Sequence, residues 1–474
     1  MAYRYGDRYQ IKMFSQSLDE QVPKDHPVRV FDAIIEKIDL KGLGVEINPN
    51  KVGNSSYDPV AMIKLLVYGY SCKLFSSRKL ERACYEFIPM KWLVGDLRPD
   101  HKTISEFRSN NIEALKKLFM EVSKIMLTLG LLKGDILYVD GSKLRANASI
   151  ENFKSAEEYK KFLEVLRDGI ENVFEKAEAI DKSEEDMPLL LGATGIEGVG
   201  IEKKVIEAQE KVKEIERKFI NTTDPDCIKI KSNKGSFAGY NVQVVVDGEH
   251  GLIASHDVVS EHNDLNQFTE QIKKAEEVIG KRCKIGCADS GYFSMKVLKE
   301  AIEEGRRVII PSPKQVNNKG VGEFSKDKFT YNAEEDCYIC PEGNKLVYGH
   351  YDKKRGQHVY RFTSSKICRS CRHYGICTTA KRGRTVMRLE EEELMKKLEM
   401  EYLDSSSQRI YKSRKGKVEA PFGHIKHNLG FCSFLLRGIE KVRAELSIIA
   451  IGYNTIRAIS ILGVSKMVEM LMNI

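Results

Sequence analysis

No uninterrupted apolar stretch in this sequence approaches the roughly 20 residues a helix needs to cross a bilayer. Met1-Ala2-Tyr3-Arg4-Tyr5 begins nothing like a secretory signal. A membrane span is therefore not expected, and the cytoplasm is the expected location. Nor is there a large excess of either charge. Lys and Arg total 76 against 68 Asp and Glu, a formal +8, which permits an anionic partner without demanding one. Cysteine is sparse too: eleven in 474 residues do not make a disulfide scaffold. Five of them fall between Cys337 and Cys377, however, and that clustering points to a metal. What remains is an ordinary globular composition. At 42% hydrophobic the chain can bury sizeable cores, and its length suggests two to four domains.

The stretch Asp135-Ile136-Leu137-Tyr138-Val139-Asp140-Gly141-Ser142 delivers a carboxylate at the end of an apolar run. Its β-branched and aromatic bias and its lack of polar alternation predict a strand buried on both faces. A carboxylate at such a strand end is costly unless it is paired or holds a cation. The bland alternative is that Asp140 caps the next turn. Lys284-Ile285-Gly286-Cys287-Ala288-Asp289 repeats the pattern, and Ser290-Gly291-Tyr292 completes its turn. Two strands that each end in Asp followed by Gly or Ser weaken the capping explanation.

Around these stretches the chain changes texture. Asp58-Pro59 gives an N-cap and a first-turn proline, and further helix starts follow at Ser77 and Thr103. The segment from Tyr57 to Gly130 is thus a run of helices with basic residues from Arg78 to Arg108 scattered through it. It reads equally as a DNA-binding domain or as a solvated support domain. From Ser155 to Phe219 the chain is dense in Glu and Lys, with Phe162, Val165, Leu166, Ile170 and Val173 at helical spacing, interrupted near Met187 to Gly200. That predicts an inserted helical hairpin. Gly239 to Asp247 and Leu252 to Ser255, joined by Gly248-Glu249-His250-Gly251, predict a β-hairpin. Helices are then expected over Leu265 to Val278 and after Ser294, with a last short strand at Val308-Ile309-Ile310. Between Pro311 and about Asp404 lies a separate inserted subdomain. Ile439 to Leu462 is expected to be a helix that closes the core.

In that subdomain Cys340-Pro341-Glu342-Gly343 and Cys368-x2-Cys371-x5-Cys377 provide four thiolates for one tetrahedral zinc. Cys337 and Cys340 form a second Cys-x2-Cys, so spacing alone leaves open which four of the five bind. The Cys-Pro-x-Gly turn, which resembles a zinc knuckle, favours Cys340, Cys368, Cys371 and Cys377. Such a zinc is structural, because four cysteines leave no open position.

A third carboxylate lies in Tyr411-x2-Arg414-x4-Glu419-x6-Lys426. Pro421 is best tolerated in a first turn, which predicts a helix starting near Val418. Val418, Phe422, Ile425 and Leu429 then form its buried face, and Glu419 and Lys426 share an adjacent stripe. The basic run Arg409, Lys412, Arg414, Lys415, Lys417 and Lys426 favours an anionic ligand here.

Taken together, the Tyr57-Asp58-Pro59 segment, Asp140-Gly141-Ser142, Gly239-Tyr240-Asn241-x-Gln243, Asp289-Ser290-Gly291-Tyr292 and the Tyr411 to Lys426 signature running into Leu429-Gly430-Phe431 resemble the DDE transposases of bacterial insertion sequences. The resemblance is to the group catalogued as insertion sequence eleven eighty-two, within the insertion-sequence-four-like branch. It implies an α/β fold with a ribonuclease-H-like mixed sheet, Asp140 on the first strand, Asp289 after the fourth and Glu419 on a following helix. One departure stands out. The branch signature places an Arg four residues before the Glu, and here Lys415 holds that place while Arg414 lies five before.

The implied organisation is an N-terminal helical domain (1–130), a catalytic core (131–310) with a helical insertion (150–222), a zinc-bearing insertion (311–405) and the rest of the core (406–474). Asp140, Asp289 and Glu419 would hold Mg²⁺ or Mn²⁺, two ions about 3.5–4 Å apart. Tyr411, Arg414, Lys415 and Lys426 would contact DNA phosphates. The implied partners are the element's terminal inverted repeats and target DNA, bound by a homodimer, in a bacterial cytoplasm beside the nucleoid. The implied reaction is hydrolysis that frees a 3′-OH, followed by attack of that 3′-OH on target DNA. Two rival classes remain: a DNA-binding protein without catalysis, which leaves three spaced carboxylates idle, and a general metal-dependent nuclease, which needs neither the long helical region nor the cysteine insertion.

Overall fold

The computed structural model describes residues 16–47, 56–155, 219–232, 235–317, 322–353 and 356–474, with Glu157, Glu158, Lys161 and Glu164 singly between. The expected helical insertion, with Phe162, Val165, Leu166, Ile170 and Val173, lies outside the described residues. The chain forms two compact units. The first comprises Met1–Lys133, Gly141–His262 and Glu419–Ile474, and the second Gly134–Asp140 and Asn263–Val418.

In the first unit the N-terminal half is helical, for local reasons visible in the sequence. Asp58 accepts hydrogen bonds from the backbone N–H groups of Val60 and Ala61, starting a helix at Pro59–Ser71 whose residues Ala61 to Tyr70 are all buried. Lys64 within it is neutralised by Asp32 at 2.6 Å and by Glu36. Ser76 and Asp100 cap the helices Ser77–Glu86 and His101–Asn110 in the same way. Arg108, one of the scattered basic residues of this helical run, is turned inward and donates to the Tyr70 hydroxyl (2.9 Å) and the Phe75 carbonyl (3.2 Å).

The 24-residue helix Ile439–Leu462 is the spine of this unit, buried on most of its surface from Val442 to Ala458. By length and composition it is apolar enough to cross a membrane, yet 67% of its most apolar window is buried inside the protein, as expected of a core helix. Its Glu445 is fully buried and accepts from the backbone N–H groups of Leu435 (3.0 Å) and Leu436 (3.2 Å) and from the Tyr70 hydroxyl (3.1 Å). Asn454 completes the backbone bonding of Ile253, accepting from its N–H and donating to its carbonyl, each at 2.8 Å.

Strand β1 (Ile136–Arg145) runs from the second unit into the first. Strands β2 (Phe153–Ser155) and β3 (Phe219–Asn221) pair as a small antiparallel ribbon. Strands β4 (Ile228–Ser232), β5 (Gly235–Asp247) and β6 (Ile253–Val259) are antiparallel neighbours with β5 in the middle. They include the expected hairpin, turned at Gly251 with φ +73°. The Ala146 N–H donates to the Ala238 carbonyl at 2.9 Å, beside the end of β1.

In the second unit the beginning of β1 pairs in parallel with β7 (Ile285–Cys287), and β7 pairs in parallel with β8 (Arg307–Ile309). The strands are mixed in direction across the chain, as expected of an α/β fold with a mixed sheet. Helices Phe268–Ile279 and Met295–Glu303 flank β7 in sequence. Gly286 is glycine because Phe268 packs so closely that a Cβ would stand 2.8 Å from its ring. Buried Arg306 is held by Glu276 at 2.6 Å.

The following segment is a five-stranded antiparallel sheet: β9 (Thr330–Asn332), β10 (Cys337–Ile339), β11 (Lys345–Asp352), β12 (Gln357–Arg361) and β13 (Thr385–Leu389), in the order β13-β12-β11-β10-β9. Helices Glu392–Leu403 and Ser405–Gly423 come next.

Candidate catalytic site and cysteine cluster

The register of β1 against β7 sets Tyr138 opposite Cys287. Two residues farther along each strand stand Asp140 and Asp289. Because side chains alternate with period two and neighbouring strands lie about 4.8 Å apart, the two carboxylates occupy adjacent positions on one face. Asp289 lies just past the end of β7, but the chain is still extended there (φ −82°, ψ 176°), and the Ala288 N–H still bonds the Ile309 carbonyl at 3.3 Å. The capping explanation holds for one oxygen of Asp289, whose Oδ1 accepts from the Gly291 N–H at 2.8 Å.

Beside this pair, within the same unit, lies the part of the helix Ser405–Gly423 up to Val418. Tyr138 donates to or accepts from Ser413 Oγ at 2.6 Å, tying that helix to β1. Arg414, half-buried, places Nη1 3.5 Å from Asp140 Oδ1. Its guanidinium is 5.5 Å from the centre of the Tyr411 ring, and its Nε is buried with no hydrogen-bond partner. Burial pushes the Cys287 thiol up to about 12, with Arg414 pulling it the other way. Burial likewise raises the Tyr411 hydroxyl; Arg414 opposes this, and Asp289 adds to it. Lys415 is exposed.

Glu419 and Lys426 belong to the first unit. The expected helix start near Val418 is corrected: the helix begins at Ser405, where Asp404 accepts from the Ser406 N–H (2.8 Å), and Pro421 lies inside it rather than in its first turn. A proline there removes one backbone hydrogen bond, and the next five residues, His424–Asn428, widen into a π-turn. The buried face is nevertheless the expected one, with Val418, Phe422, Ile425 and Leu429 all buried. Glu419 is exposed. Lys426 does not continue its stripe on a regular α-helix, because the π-turn intervenes. Its Nζ donates to Ser142 Oγ, a pairing not foreseen from sequence although Ser142 follows Asp140 by two residues.

Of the five clustered cysteines, Cys340, Cys368, Cys371 and Cys377 line one cavity of about 30 Å³ in the second unit. Three of those sulfurs accept backbone N–H groups: Cys340 from Asn344 (3.4 Å), Cys371 from His373 (3.5 Å) and Cys368 from Arg384 (3.4 Å). Gly343, in the left-handed region at φ +77°, closes the Cys-Pro-x-Gly turn. Cys337 points elsewhere, 3.6 Å from a Glu335 carboxylate oxygen. Burial raises the Cys368 and Cys377 thiols, and the neighbouring thiols add to it. Among the described residues, no group of three or more His, Cys, Asp or Glu side chains stands in ready metal-binding geometry.

A family described as a transposase domain matches residues 16–110, and one described as a transposase DDE domain matches residues 339–459. The chain carries a transposase DDE domain, that of an enzyme that cleaves DNA and transfers strands. The DDE match spans four clustered cysteines, Glu419, Lys426 and most of the spine helix; Asp140 and Asp289 lie outside it. No curated protein matches this transposase. Among solved structures, a piggyBac transposase synaptic complex with hairpin DNA aligns with 94% of this chain and 78% of its own, at 12% identity and a TM-score of 0.33. A likeness that remote carries no argument.

Proposed function

We propose that this transposase cleaves the ends of its own insertion sequence and joins the freed 3′-OH to target DNA, as a member of the insertion sequence eleven eighty-two group with a ribonuclease-H-like core. The observation that carries the reading is that Asp140, within β1, and Asp289, just past β7, each stand two residues beyond the paired Tyr138 and Cys287 of adjacent parallel strands. Their hard oxygen donors suit Mg²⁺ or Mn²⁺, and Glu419 is the third ligand. Two such ions, when bound, activate the attacking oxygen and stabilise the leaving one. The chain's own residues do the rest. Arg414 and Tyr411, packed beside Asp140 and Asp289, bind phosphate oxygens flanking the scissile bond. Lys415 and Lys426 hold the DNA backbone farther along. DNA enters as a pair of terminal inverted repeats on a homodimer in the bacterial cytoplasm.

The cysteine-lined cavity is proposed to hold one structural zinc through Cys340, Cys368, Cys371 and Cys377. The donor set fits: four sulfurs around one small cavity, three of them already receiving backbone N–H groups, which is what thiolates need. A zinc there would hold the thiolates deprotonated against the burial that now raises them.

The test is strand cleavage of element-end DNA in Mg²⁺. Asp140→Ala, Asp289→Ala and Glu419→Ala should each lower cleavage on the order of a thousandfold or more, with DNA binding largely kept. Cleavage that survives Asp140→Ala would overturn the assignment.

A further inference from the structure

The stretch from Ser364 to Thr385, in the second unit, carries six Lys and Arg and no Asp or Glu, whereas the whole chain has 76 against 68. Two of the six are engaged within the protein. Arg372 pairs with Glu342 at 2.9 Å, and Arg384 donates to the carbonyls of Cys377 (3.4 Å) and Phe324 (3.3 Å). Lys366, Arg369, Lys381 and Arg382 are exposed, with no carboxylate partner among the described residues. Arg369 reaches the Lys381 carbonyl with Nε (3.1 Å) and Nη2 (2.8 Å), which ties the two ends of this basic surface together.

From the same stretch projects Ile376, 73% exposed and the most exposed large apolar side chain among the described residues. The loop that carries it is closed by its own backbone. The Tyr374 N–H donates to the Cys371 carbonyl (2.9 Å), the Ile376 and Cys377 N–H groups to the His373 carbonyl (3.1 and 2.8 Å), and the Gly375 N–H to the Thr378 carbonyl (3.0 Å). A β-branched side chain is also stiff at χ1, so the tip has its shape before any partner arrives.

The surroundings select that partner. One isoleucine among unpaired cations is too small for a protein interface, which takes about 800 Å² from each side, and two copies meeting here would bring like charges together. Phosphates complement the charge. A major groove about 12 Å wide suits a helix or a two-stranded ribbon, whereas a minor groove about 6 Å wide suits a single aliphatic side chain.

We propose that Ile376 is a wedge that enters the minor groove of duplex DNA, parts two stacked base pairs and kinks the duplex, while Lys366, Arg369, Lys381 and Arg382 hold the phosphates on either side. The proposal rests on this chain acting on DNA, and it assigns the tip to shaping the duplex rather than cutting it. Isoleucine has no hydrogen-bonding group and reads no base edge. Its selectivity is therefore for deformability: pyrimidine–purine steps such as TA part easily, and A-tracts resist.

The test is energy transfer between dyes at the two ends of a duplex of about 30 base pairs, short enough to stay straight when free. It carries one central TA step and is bound by the full chain without divalent ions, so that it stays uncut. The native chain should bring the ends together as a kink of roughly 20–90° does, and should bind about tenfold more tightly when the same step is already opened by a mismatch. Ile376→Ala should abolish both effects, and Ile376→Met, which keeps an apolar wedge, should retain them. The side chain is exposed, so neither change disturbs the fold. Lys381→Ala and Arg382→Ala should each lower the slope of log affinity against log salt by about 0.9 and leave the kinked step where it is. A kink that survives Ile376→Ala overturns the proposal, as does a duplex that the native chain leaves straight. Self-association lost in Ile376→Ala, read by sedimentation without DNA, would overturn it by assigning the tip to a second copy. The catalytic reading fails separately: Asp140→Ala should leave the kink as it is, and only cleavage reports on it.

Discussion

Strands β1, β7 and β8 and the sheet β9 to β13 belong to the same unit but hold together differently. In the parallel strands nearly every side chain is buried, from Leu137, Tyr138 and Val139 to Gly286, Cys287, Val308 and Ile309. Phe268, Ile272, Leu298 and Ala301 of the flanking helices are buried as well. Apolar burial alone, at about 25 cal/mol per Å², can hold such a layer, which carries Asp140 within β1 and Asp289 just past β7. Among the described residues, the antiparallel sheet packs around a cluster of seven buried residues, including Phe329, Tyr338, Leu346 and Tyr360. Its Tyr348 and Tyr351 stay 44% and 37% exposed. A core that small needs a staple; Cys368 belongs to it, and Cys340 and Cys377 pack against it. On the proposed assignment, one unit keeps two kinds of ligand for two purposes: oxygen on a well-buried layer for chemistry, and sulfur on a thin one for folding.

The largest effect that can break this contrast is removal of the proposed zinc. A chelator, or Cys371→Ser, should unfold the β9 to β13 sheet while leaving β1, β7 and β8 protected, because binding free energy of roughly 10 kcal/mol or more is folding free energy there. Hydrogen exchange resolved by region checks it, and Cys337→Ser should do far less. Equal loss of protection in both regions would erase the distinction.

Next in size is Glu276→Ala. It leaves Arg306 buried beside β8 with only Glu304 as a carboxylate partner, and should destabilise the parallel region by about 3–5 kcal/mol, read by denaturant unfolding. Zinc content should not change.

The smallest effect concerns Lys426. Its loss should lower the salt slope of element-end binding by about 0.9, one phosphate's share in duplex DNA, and slow cleavage without changing the end sequence chosen. An unchanged slope would make its bond to Ser142 purely structural.

Much of this was legible in the sequence. The apolar runs leading to Asp140 and Asp289 located β1 and β7 because burial on both faces leaves no polar alternation, but the expected strand end at Asp140 was wrong, since β1 continues through it to Arg145. Asp58-Pro59 marked its helix because capping is local chemistry. The cysteine spacing and the Cys-Pro-x-Gly turn favoured the four thiols that share a cavity, leaving Cys337 aside. The start of the Ser405–Gly423 helix was not legible. Pro421 is the stronger local signal, and only the packing of Val418, Phe422 and Ile425 makes a helix persist through it. Asp404-Ser405-Ser406-Ser407 was the cap signal to read instead. Nor were the five antiparallel strands visible, since they are short and β11 carries a bulge between Tyr348 and His350 that breaks the period-two pattern. The ion pair of Arg414 with Asp140 joins residues far apart in sequence, and no spacing rule reaches that far.

The most direct measurement of the central claim is Mn²⁺ binding to the chain in complex with element-end DNA, counted by electron paramagnetic resonance. The account predicts two ions in the native complex, with at least one lost in each of Asp140→Ala, Asp289→Ala and Glu419→Ala while the DNA stays bound. Undiminished Mn²⁺ binding in Asp140→Ala or Asp289→Ala would contradict it.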